Sequence, residues 1–511
     1  MNRVPDVPLS PKRSDILKEM HEVFYPRSIA VVGASNNEKK MGYRNLKFPL
    51  QFGFRGKIYP VNPKEETVLG LRSYPTVSAI PDVVDRAVIS VPAKLVPTIL
   101  RDCAEKGVRV AQICTAGFAE VVGEGGRLQD EIVAIARASG MRLIGPNCMG
   151  TYCADSLMTY VYPCGASAEQ GGVAFVSQSG GISANVLVRG THSGIRFSKV
   201  ISVGQCVDLN MADYLEYFME DPQTETVTFY IEGLRGEGRR FYSLLKEAVR
   251  RKPVVILRGG TTEAGLRAVA SHSGTMAGNE LVWNALFKQT GAIQVGSIDE
   301  LINTMAAFSS IKRVRGRGIA IIGNGGGASI LASDLCSTLG LEIRPFSSKT
   351  TEKIDKLGLP PTLGVSNPFD TPAPIMEQDD GRLIERTLGV ISEDPNVDAI
   401  LFHINLVPMN AFSTVYTVIH NTVQVLTSVT QRTGIPVLLV FHQCGDQSLE
   451  AISAVEKEKA RRGGLAVFPT LEDACRALSA VVRYVEFQRR DNGSGLLEPA
   501  RRWVVDEVQL R

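Results

Sequence analysis

The stretch GGVAFVSQSGGISANVLVRG, residues 171–190, predicts a buried strand, a turn of small residues and then a helix. The turn, where the strand ends and the helix begins, contains Ser177, Ser179, Gly180 and Gly181. The first amides of a helix have no internal partner and lie at the positive end of the helix dipole. Because serine and glycine let a ligand approach those amides closely, the turn predicts an anion-binding site. The alternative is that Ser179 only caps the helix.

The same order of elements recurs later in the chain. RGIAIIGNGGGASILASDL, residues 317–335, again predicts a strand, a glycine-rich turn and a helix. The apolar segments 397–407 and 435–445 correspond to 226–234 and 252–260 of the first copy. We interpret this as a divergent internal duplication that gives two flavodoxin-like units in succession. The second copy offers another helix N-terminus for an anion, at Asn324, Gly325, Gly326 and Gly327.

A histidine follows the segment 253–257 of the first copy. RGGTTEAGLRAVASHSGTMAGNE, residues 258–280, predicts a flexible loop in which His272 stands between Ser271 and Ser273. An imidazole nitrogen is both a nucleophile and a leaving group, so a reachable histidine can take up a phosphoryl group and pass it on. We expect the two helix N-termini to face one another and hold that group. The alternative is a loop histidine that only bonds to the backbone.

Glu232 closes the apolar strand predicted over residues 226–231, at the edge of the sheet where ligands bind. A carboxylate there can accept a hydrogen bond from the ring N–H of a histidine. That bond would fix the tautomer and leave the other ring nitrogen as the nucleophile. Pairing with Arg235 is an equally open interpretation.

The first part of the chain predicts a doubly wound parallel sheet. Strands over residues 28–32, 57–61, 86–91, 108–114 and 141–144 alternate with helical stretches such as 94–105 and 126–139. In such sheets the ligand binds at the carboxyl ends of the strands. The candidate binding residues at those ends are Gly33, Ala34, Ser35, Lys64, Ser90, Val91, Pro92, Thr115, Ala116 and Asn147.

Two features argue against an NAD site in this part. VVGASNNEKKMG, residues 31–42, lacks the GxGxxG spacing that brings backbone amides against a pyrophosphate. The second strand is followed by Asn62, Pro63 and Lys64, where an NAD site places an acid. A lysine suits a ligand with an additional phosphate, which both NADP and coenzyme A have. A solvated surface lysine is the remaining interpretation.

Composition limits the class of protein. The 511 residues are enough for about three domains, and 44% hydrophobic with 21% charged residues is usual for a globular enzyme. The net charge of +3 does not indicate a nucleic-acid partner. Nine cysteines without CxxC spacing indicate neither a metal site nor a disulfide framework, and suit a reducing cytoplasm. No apolar run reaches the roughly 20 residues of a membrane span.

Over residues 24–488 the chain resembles the NDP-forming acyl-CoA synthetases of the succinyl-CoA synthetase superfamily. The resemblance rests on an ordered set of motifs: FYPRSIAVVGAS, GKIYPVNPK, DRAVISVPA, GPNCMG, FVSQSGG, ASHSGTMAG and NGGGAS. It implies an α/β protein in which a Rossmann-like CoA-binding domain (residues 1–152) precedes two flavodoxin-like domains. The first of these (165–311) would contain the phosphohistidine loop, and the second (317–488) would be the ligase-CoA domain. Residues 489–511 would form a tail.

The resemblance also implies roles for particular residues. His272 corresponds to the phosphohistidine and Glu232 to the glutamate that orients it. Ser179, Gly180, Gly325 and Gly326 correspond to the phosphate cradle, and no metal site is implied in this chain.

The implied reaction joins a carboxylic acid to coenzyme A at the expense of ATP, through a phosphohistidine and an acyl phosphate, and releases ADP and phosphate reversibly. The family's ATP-grasp module has no room after the third domain, so the chain resembles the alpha-type subunit. We therefore expect ATP and Mg²⁺ on an ATP-grasp beta-type partner in a cytoplasmic hetero-oligomer. Two other interpretations stay open: a non-catalytic CoA-binding regulatory or scaffold subunit, and an NADP-dependent dehydrogenase.

Overall fold

The computed structural model describes residues 14–491, apart from 122, 163–164, 236–237, 274–278, 361–363, 372–374, 377 and 412–414. The chain divides into two compact units, Met1–Gly296 and Ser297–Arg511. Among the described helices none is long and apolar enough to cross a membrane. The same residues contain no group of three or more side chains placed to hold a metal ion.

The first unit begins with a five-stranded parallel sheet in the order β2-β1-β5-β6-β7. Its central strands are buried along their whole length, because helices cover both faces. The elements are α1 (Ser14–Glu19), α2 (His21–Phe24), β1 (Ser28–Val32), α3 (Met41–Phe52), β2 (Lys57–Val61), the hairpin β3 (Thr67–Val68) and β4 (Leu71–Arg72), β5 (Arg86–Ile89), the 3₁₀ turn Ala93–Leu95, α4 (Val96–Lys106), β6 (Val110–Ile113), α5 (Gly125–Ser139) and β7 (Arg142–Ile144).

A second sheet completes the first unit. Its order is β13-β12-β11-β9-β10-β8, and only the edge strand β8 is antiparallel. The elements are β8 (Thr151–Cys153), β9 (Val173–Ser177), α6 (Gly180–His192), β10 (Phe197–Ser202), α7 (Met211–Glu220), β11 (Thr226–Ile231), α8 (Gly238–Val249), β12 (Val254–Arg258), α9 (Glu263–Ser273), α10 (Glu280–Thr290) and β13 (Ile293–Val295).

The second unit contains one parallel sheet, in the order β15-β14-β16-β17-β18. The elements are α11 (Ile298–Ser310), β14 (Ile319–Gly323), α12 (Gly326–Thr338), α13 (Ser348–Asp355), β15 (Phe369–Asp370), the 3₁₀ turn Gln378–Gly381, α14 (Arg382–Ser392), β16 (Ala399–Asn405), the 3₁₀ turn Pro408–Ala411, α15 (Val415–Thr433), β17 (Val437–His442), α16 (Gln447–Arg462), β18 (Ala466–Phe468) and α17 (Leu471–Asp491).

The predicted fold class is confirmed. Leaving aside β8, the second sheet has its strands in the chain order 2-1-3-4-5, which is the flavodoxin-like order, and the sheet of the second unit has the same order. Strands β9 and β14 occupy equivalent positions, and each leads into a helix through a turn of small residues. The two sheets therefore share the arrangement that an internal duplication predicts.

Within the unit Ser297–Arg511, Phe308 of α11 packs edge-on against Tyr484 of α17 with ring centroids 5.7 Å apart. One local difference from the sequence-based expectations stands out. The expected loop after β12 is wrong for residues 263–273, which form α9 and include His272 near its end. The alanines and leucine of EAGLRAVAS are strong helix formers, and this propensity outweighs the flexibility that its small residues suggest.

Candidate active site

The N-terminus of α6 lies at the carboxyl edge of the second sheet, where an anion site is predicted. Ser179 is the N-cap residue, and its hydroxyl accepts a hydrogen bond from the Ile182 N–H at 3.3 Å. The Ser177 hydroxyl accepts from the Ser179 N–H at 3.2 Å and donates to the Ser179 carbonyl at 2.7 Å. A side chain added at Gly181 would meet nothing within 4 Å, so the first turn of the helix is open to a ligand. The capping interpretation of Ser179 is correct and leaves room for an anion.

Gly180 serves a different purpose from Gly181. A Cβ atom there would lie 2.5 Å from the Cγ atom of Met149, which follows β7. The Met149 N–H in turn donates to the Ser202 hydroxyl at the end of β10, at 3.1 Å. The glycine therefore lets the chain after β7 pack against the start of α6.

Glu232 is buried at the end of β11, with 6% of its surface exposed. The side chain of Gln178, the residue after the neighbouring strand β9, holds this part of the backbone. Its oxygen accepts from the N–H groups of Glu232 (2.5 Å) and Gly233 (3.1 Å), and its amide donates to the Gly233 carbonyl (2.9 Å). The Tyr230 hydroxyl donates to the Glu232 carboxylate at 3.3 Å. Burial, followed by this carboxylate, raises the pKa of Tyr230 above its ordinary value.

The chain leading to His272 passes directly beside Glu232. The Gly259 N–H donates to the Ile231 carbonyl at 2.9 Å, which extends the pairing of β11 with β12 by one residue. A Cβ atom at Gly259 would lie 2.7 Å from the Tyr230 hydroxyl oxygen and 3.3 Å from the Glu232 Cγ atom, so only glycine fits without a shift. Helix α9 starts four residues later and includes His272 in its last turn. The side chains of residues 270–278, including that of His272, lie outside the described residues.

The guanidinium of Arg258, the residue before Gly259, is already paired. Arg258 is 7% exposed, and its guanidinium binds the Glu280 carboxylate at 2.5 Å and stacks 4.7 Å from the centre of the Trp283 ring. Both partners belong to α10. Arg258 therefore joins the end of β12 to the start of the helix that follows the histidine segment.

The carboxyl edge of the first sheet meets the second sheet at the loop after β10. Asn147 has a left-handed backbone (φ +57°), and its N–H donates to the Thr115 carbonyl at 3.0 Å. A Cβ atom at Gly204 would lie 2.2 Å from the Pro146 carbonyl oxygen, and the Gln205 amide bonds to the Glu120 carboxylate. The candidate residues after β6 and β7 thus lie next to the loop that follows β10. Strand β10 is a direct neighbour of β9 in the second sheet.

All ten candidate CoA-binding residues lie at this edge of the first sheet, each just after a strand. The chain at Gly33 (φ +84°) packs closely against the chain at Ser90: a Cβ atom on Gly33 would lie 2.5 Å from the Ser90 carbonyl oxygen. The Ala34 carbonyl accepts from the Asn62 amide at 2.7 Å, and the Val91 carbonyl accepts from the Thr115 hydroxyl at 2.7 Å. The Lys64 side chain is exposed, as an anion-binding lysine at a rim requires.

In the second unit, α12 starts at the predicted glycine-rich turn. Asn324 exchanges two hydrogen bonds with Asn405, of 2.8 and 2.6 Å, which fix the turn to the end of β16. The Gly325 N–H donates to the Asp370 carboxylate at 3.3 Å, and no side chain caps the helix. A side chain added at Gly327 would meet nothing within 4 Å. The turn is therefore open, but it has a carboxylate at its side.

Sequence reasoning missed two polar groups that shape these sites. Gln178 stands between the two predicted serines, and its position among small residues was the available signal. In the second unit, His403 is fully buried, bonds to the Ser329 hydroxyl on the first turns of α12 at 2.8 Å, and contacts His442 at 3.3 Å. Burial and the neighbouring His442 lower the pKa of His403 to about 4, so the imidazole is neutral at pH 7.

Comparison with known proteins places this architecture. The family model of the succinyl-CoA ligase like flavodoxin domain matches residues 170–308, and that of a CoA binding domain matches residues 27–154. The chain is 37% identical to the alpha subunit of ADP-forming acetate–CoA ligase II from Pyrococcus furiosus, over 93% of this chain and 98% of that one.

Two further relatives extend the comparison. The ADP-forming 4-hydroxybutyrate–CoA ligase of Nitrosopumilus maritimus is 32% identical over 74% of this chain, which spans only 54% of that longer protein. Among solved structures, dinucleotide-forming acetyl-coenzyme A synthetase 1 of Ca. Korarchaeum cryptofilum, in complex with phosphate and ADP, superposes with a TM-score of 0.81 at 31% identity. That match covers 94% of this chain and 99% of the other. The chain therefore belongs to the NDP-forming acyl-CoA synthetases of the succinyl-CoA synthetase superfamily, acid–thiol ligases that join a carboxylic acid to coenzyme A.

Proposed function

We propose that this chain is the alpha-type subunit of an ADP-forming acid–CoA ligase and that His272 is its phosphorylated residue. The observation that supports this best is the position of Glu232. It is a buried carboxylate directly after β11, between the open N-terminus of α6 and the segment that leads from β12 into α9. A carboxylate so placed can fix the tautomer of a histidine that arrives from α9.

The reaction then proceeds in three transfers. A ring nitrogen of His272 attacks the γ-phosphorus of ATP, and ADP leaves with the bonding electron pair. A carboxylate oxygen of the acid attacks that phosphorus and breaks the N–P bond, which gives an acyl phosphate. The sulfur of coenzyme A attacks the acyl carbon, phosphate leaves, and the thiol proton is released. The covalent intermediate divides one difficult step into easier ones.

The helix N-termini supply the electrostatics for these transfers. In this proposal the first turn of α6, with Ser177, Ser179, Gly180 and Gly181, binds the phosphoryl oxygens through amide N–H groups. The turn with Asn324, Gly325, Gly326 and Gly327 performs the same task in the second unit. The carboxyl edge of the first sheet, from Gly33 to Asn147, binds coenzyme A.

The nucleotide belongs to a partner in this proposal. The acetate–CoA ligase relative of matching length is named as an alpha subunit, which implies a second subunit. An ATP-grasp beta-type subunit would bring ATP and Mg²⁺ to His272 in a cytoplasmic hetero-oligomer. We also propose the domain limits 1–152, 165–311 and 317–488, with residues 489–511 as a tail.

The test is phosphorylation of this chain by radioactive phosphate together with acetyl-CoA, which drives the reaction in reverse. We expect one acid-labile, base-stable label per chain in the wild type and none in His272→Ala. Label that persists on His272→Ala would place the phosphorylated residue elsewhere.

A matched control is His192→Ala. His192 is exposed at the end of α6, where its ring bonds to the Val188 carbonyl at 2.7 Å. It stands in the similar sequence THSG but outside α9, so the variant should be labelled like the wild type. Glu232→Gln should fold and label about a hundredfold more slowly, because the neutral amide no longer stabilises the charged imidazole in the transition state.

A further inference from the structure

One thiol at the carboxyl edge of the first sheet receives several hydrogen bonds. Cys114 follows β6 and is partly exposed, whereas six of the eight described cysteines are buried. Its sulfur accepts from the Gln112 side-chain amide at 3.1 Å and from the Asn45 amide at 3.6 Å. The Asn45 amide also donates to the Ser90 hydroxyl at 2.7 Å, so α3 and the ends of β5 and β6 converge on this sulfur.

A second thiol lies beside it. Cys148, after the neighbouring strand β7, is buried and donates to the Ile113 carbonyl at 3.3 Å. The pKa of the Cys114 thiol is lowered to about 7, first by its hydrogen bond with Cys148 and then, against burial, by Gln112. Burial and the neighbouring Cys114 thiol raise the pKa of Cys148. Of the two thiols, Cys114 is therefore the one that forms a thiolate near neutral pH.

A buried cation binds the Gln112 side chain from the other side. Arg86, on β5, is 1% exposed, and its guanidinium donates to the Val23 carbonyl, the Thr151 hydroxyl and the Gln112 side-chain oxygen. These partners among the described residues are all neutral. Burial lowers the pKa of Arg86 to about 10, which still leaves it charged at pH 7. Gln112 thus accepts from a cation and donates to Cys114, a relay that favours a negative sulfur.

We infer that Cys114 is modified by coenzyme A disulfide. One coenzyme A moiety of this molecule binds at the sheet edge, and its S–S bond is thereby brought to the Cys114 sulfur. The inference rests on the proposed function only in that coenzyme A binds here, between Ser90, Thr115 and Asn147. Cys114 is the residue before Thr115, and its sulfur shares the Asn45 amide with Ser90.

The reaction is a thiol–disulfide exchange. The Cys114 thiolate attacks one sulfur of coenzyme A disulfide, and a new S–S bond forms between the protein and one coenzyme A. The S–S bond of the reagent breaks, and the second coenzyme A leaves as a thiolate with the bonding electron pair. No other oxidant is needed, and an excess of free thiol reverses the exchange.

The test is incubation of the full chain with coenzyme A disulfide at pH 7, followed by mass spectrometry of the intact protein and its peptides. We expect one retained coenzyme A on the peptide that contains residue 114, and none in Cys114→Ser. The exchange should be at least about tenfold faster than with glutathione disulfide, because binding of the coenzyme brings the reagent to the sulfur. Desulfo-coenzyme A, which has no thiol, should slow it.

Two variants make the result specific. Cys444→Ser removes the other partly exposed described thiol, in the second unit, and should leave the adduct unchanged. Asn45→Ala removes one donor and should move the pH midpoint of Cys114 alkylation upward.

Three outcomes would overturn the inference: an adduct on another cysteine, equal rates with both disulfides, or the loss of two hydrogens without retained coenzyme, which would mean that Cys114 and Cys148 pair with each other. Coenzyme A binding measured separately by calorimetry distinguishes the two proposals. Binding without an adduct contradicts only the inference, whereas no binding contradicts the proposed function as well.

Discussion

Gln178 fixes the backbone at Glu232: one side-chain oxygen accepts from the N–H groups of Glu232 and Gly233, at 2.5 and 3.1 Å. The two residues are 54 positions apart and meet because β9 and β11 are neighbours. The turn that opens α6 and the carboxylate that ends β11 therefore cannot move independently. If α6 binds phosphate and Glu232 orients the histidine, Gln178 keeps the two in register.

Replacement of Gln178 with leucine should reduce phosphorylation and stability together. Two backbone N–H groups would lose their acceptor, which costs about 1–3 kcal/mol for each buried group. Gln178→Glu keeps an acceptor for both N–H groups, but it loses the donor to the Gly233 carbonyl and adds a buried charge near Glu232, so it should restore only part of the stability. Unfolding in urea and the labelling rate with radioactive phosphate measure the two effects. Full-rate labelling of the leucine variant would contradict the role of Gln178.

Gly259→Ala should be damaging because the methyl group has no room. It would lie 2.7 Å from the Tyr230 hydroxyl, so we expect a loss of about 1–3 kcal/mol in the free energy of unfolding. Tyr230→Phe in the same chain removes that oxygen and should recover part of the loss. Gly126→Ala, where nothing lies within 4 Å of the added carbon, is the control and should be neutral or slightly stabilising. If the double variant is no more stable than Gly259→Ala, the contact with Tyr230 is not the cause.

Ser179→Ala should affect activity beyond its effect on stability. The variant loses an N-cap hydrogen bond, a change worth about 1 kcal/mol. Ser347 caps α13 in the second unit in the same way, with its hydroxyl accepting from the Thr350 N–H at 3.4 Å. Ser347→Ala should therefore cost about as much stability while leaving labelling unchanged. Equal labelling rates in the two variants would show that Ser179 is only a cap.

The His403 imidazole should make the second unit sensitive to acid. Its folded-state pKa of about 4 lies below the ordinary 6.5, so the unfolded chain binds more protons between those values. Stability is then complete above about pH 6.5 and is lost as the pH falls towards 4, by about 2 kcal/mol between pH 7 and pH 5. Calorimetric unfolding at the two pH values measures this loss. His403→Gln should reduce the difference, whereas His192→Gln, at an exposed site, should leave it unchanged.

Local patterns in the sequence predicted the fold class well. Apolar strands followed by small-residue turns place β9 with α6 and β14 with α12 correctly, because strand burial and helix entry depend on residues close in the chain. The ordered motifs also identified the family, and the relatives confirm it. The same local reasoning fails at residues 263–273, because the alanine and serine that suggest a loop there form α9.

The sequence by itself determined which residues end the strands: Glu232 after β11, Ser177 at the end of β9 and Gly259 after β12. The tertiary structure alone decided which of those ends are neighbours, and so that Gln178 would hold Glu232 and that Gly259 would pass within contact distance of it. It likewise brought Arg86, Gln112 and Cys114 together with Asn45. The reason is physical: secondary structure follows from interactions over a few residues, whereas strand order joins segments tens of residues apart and has no local signature.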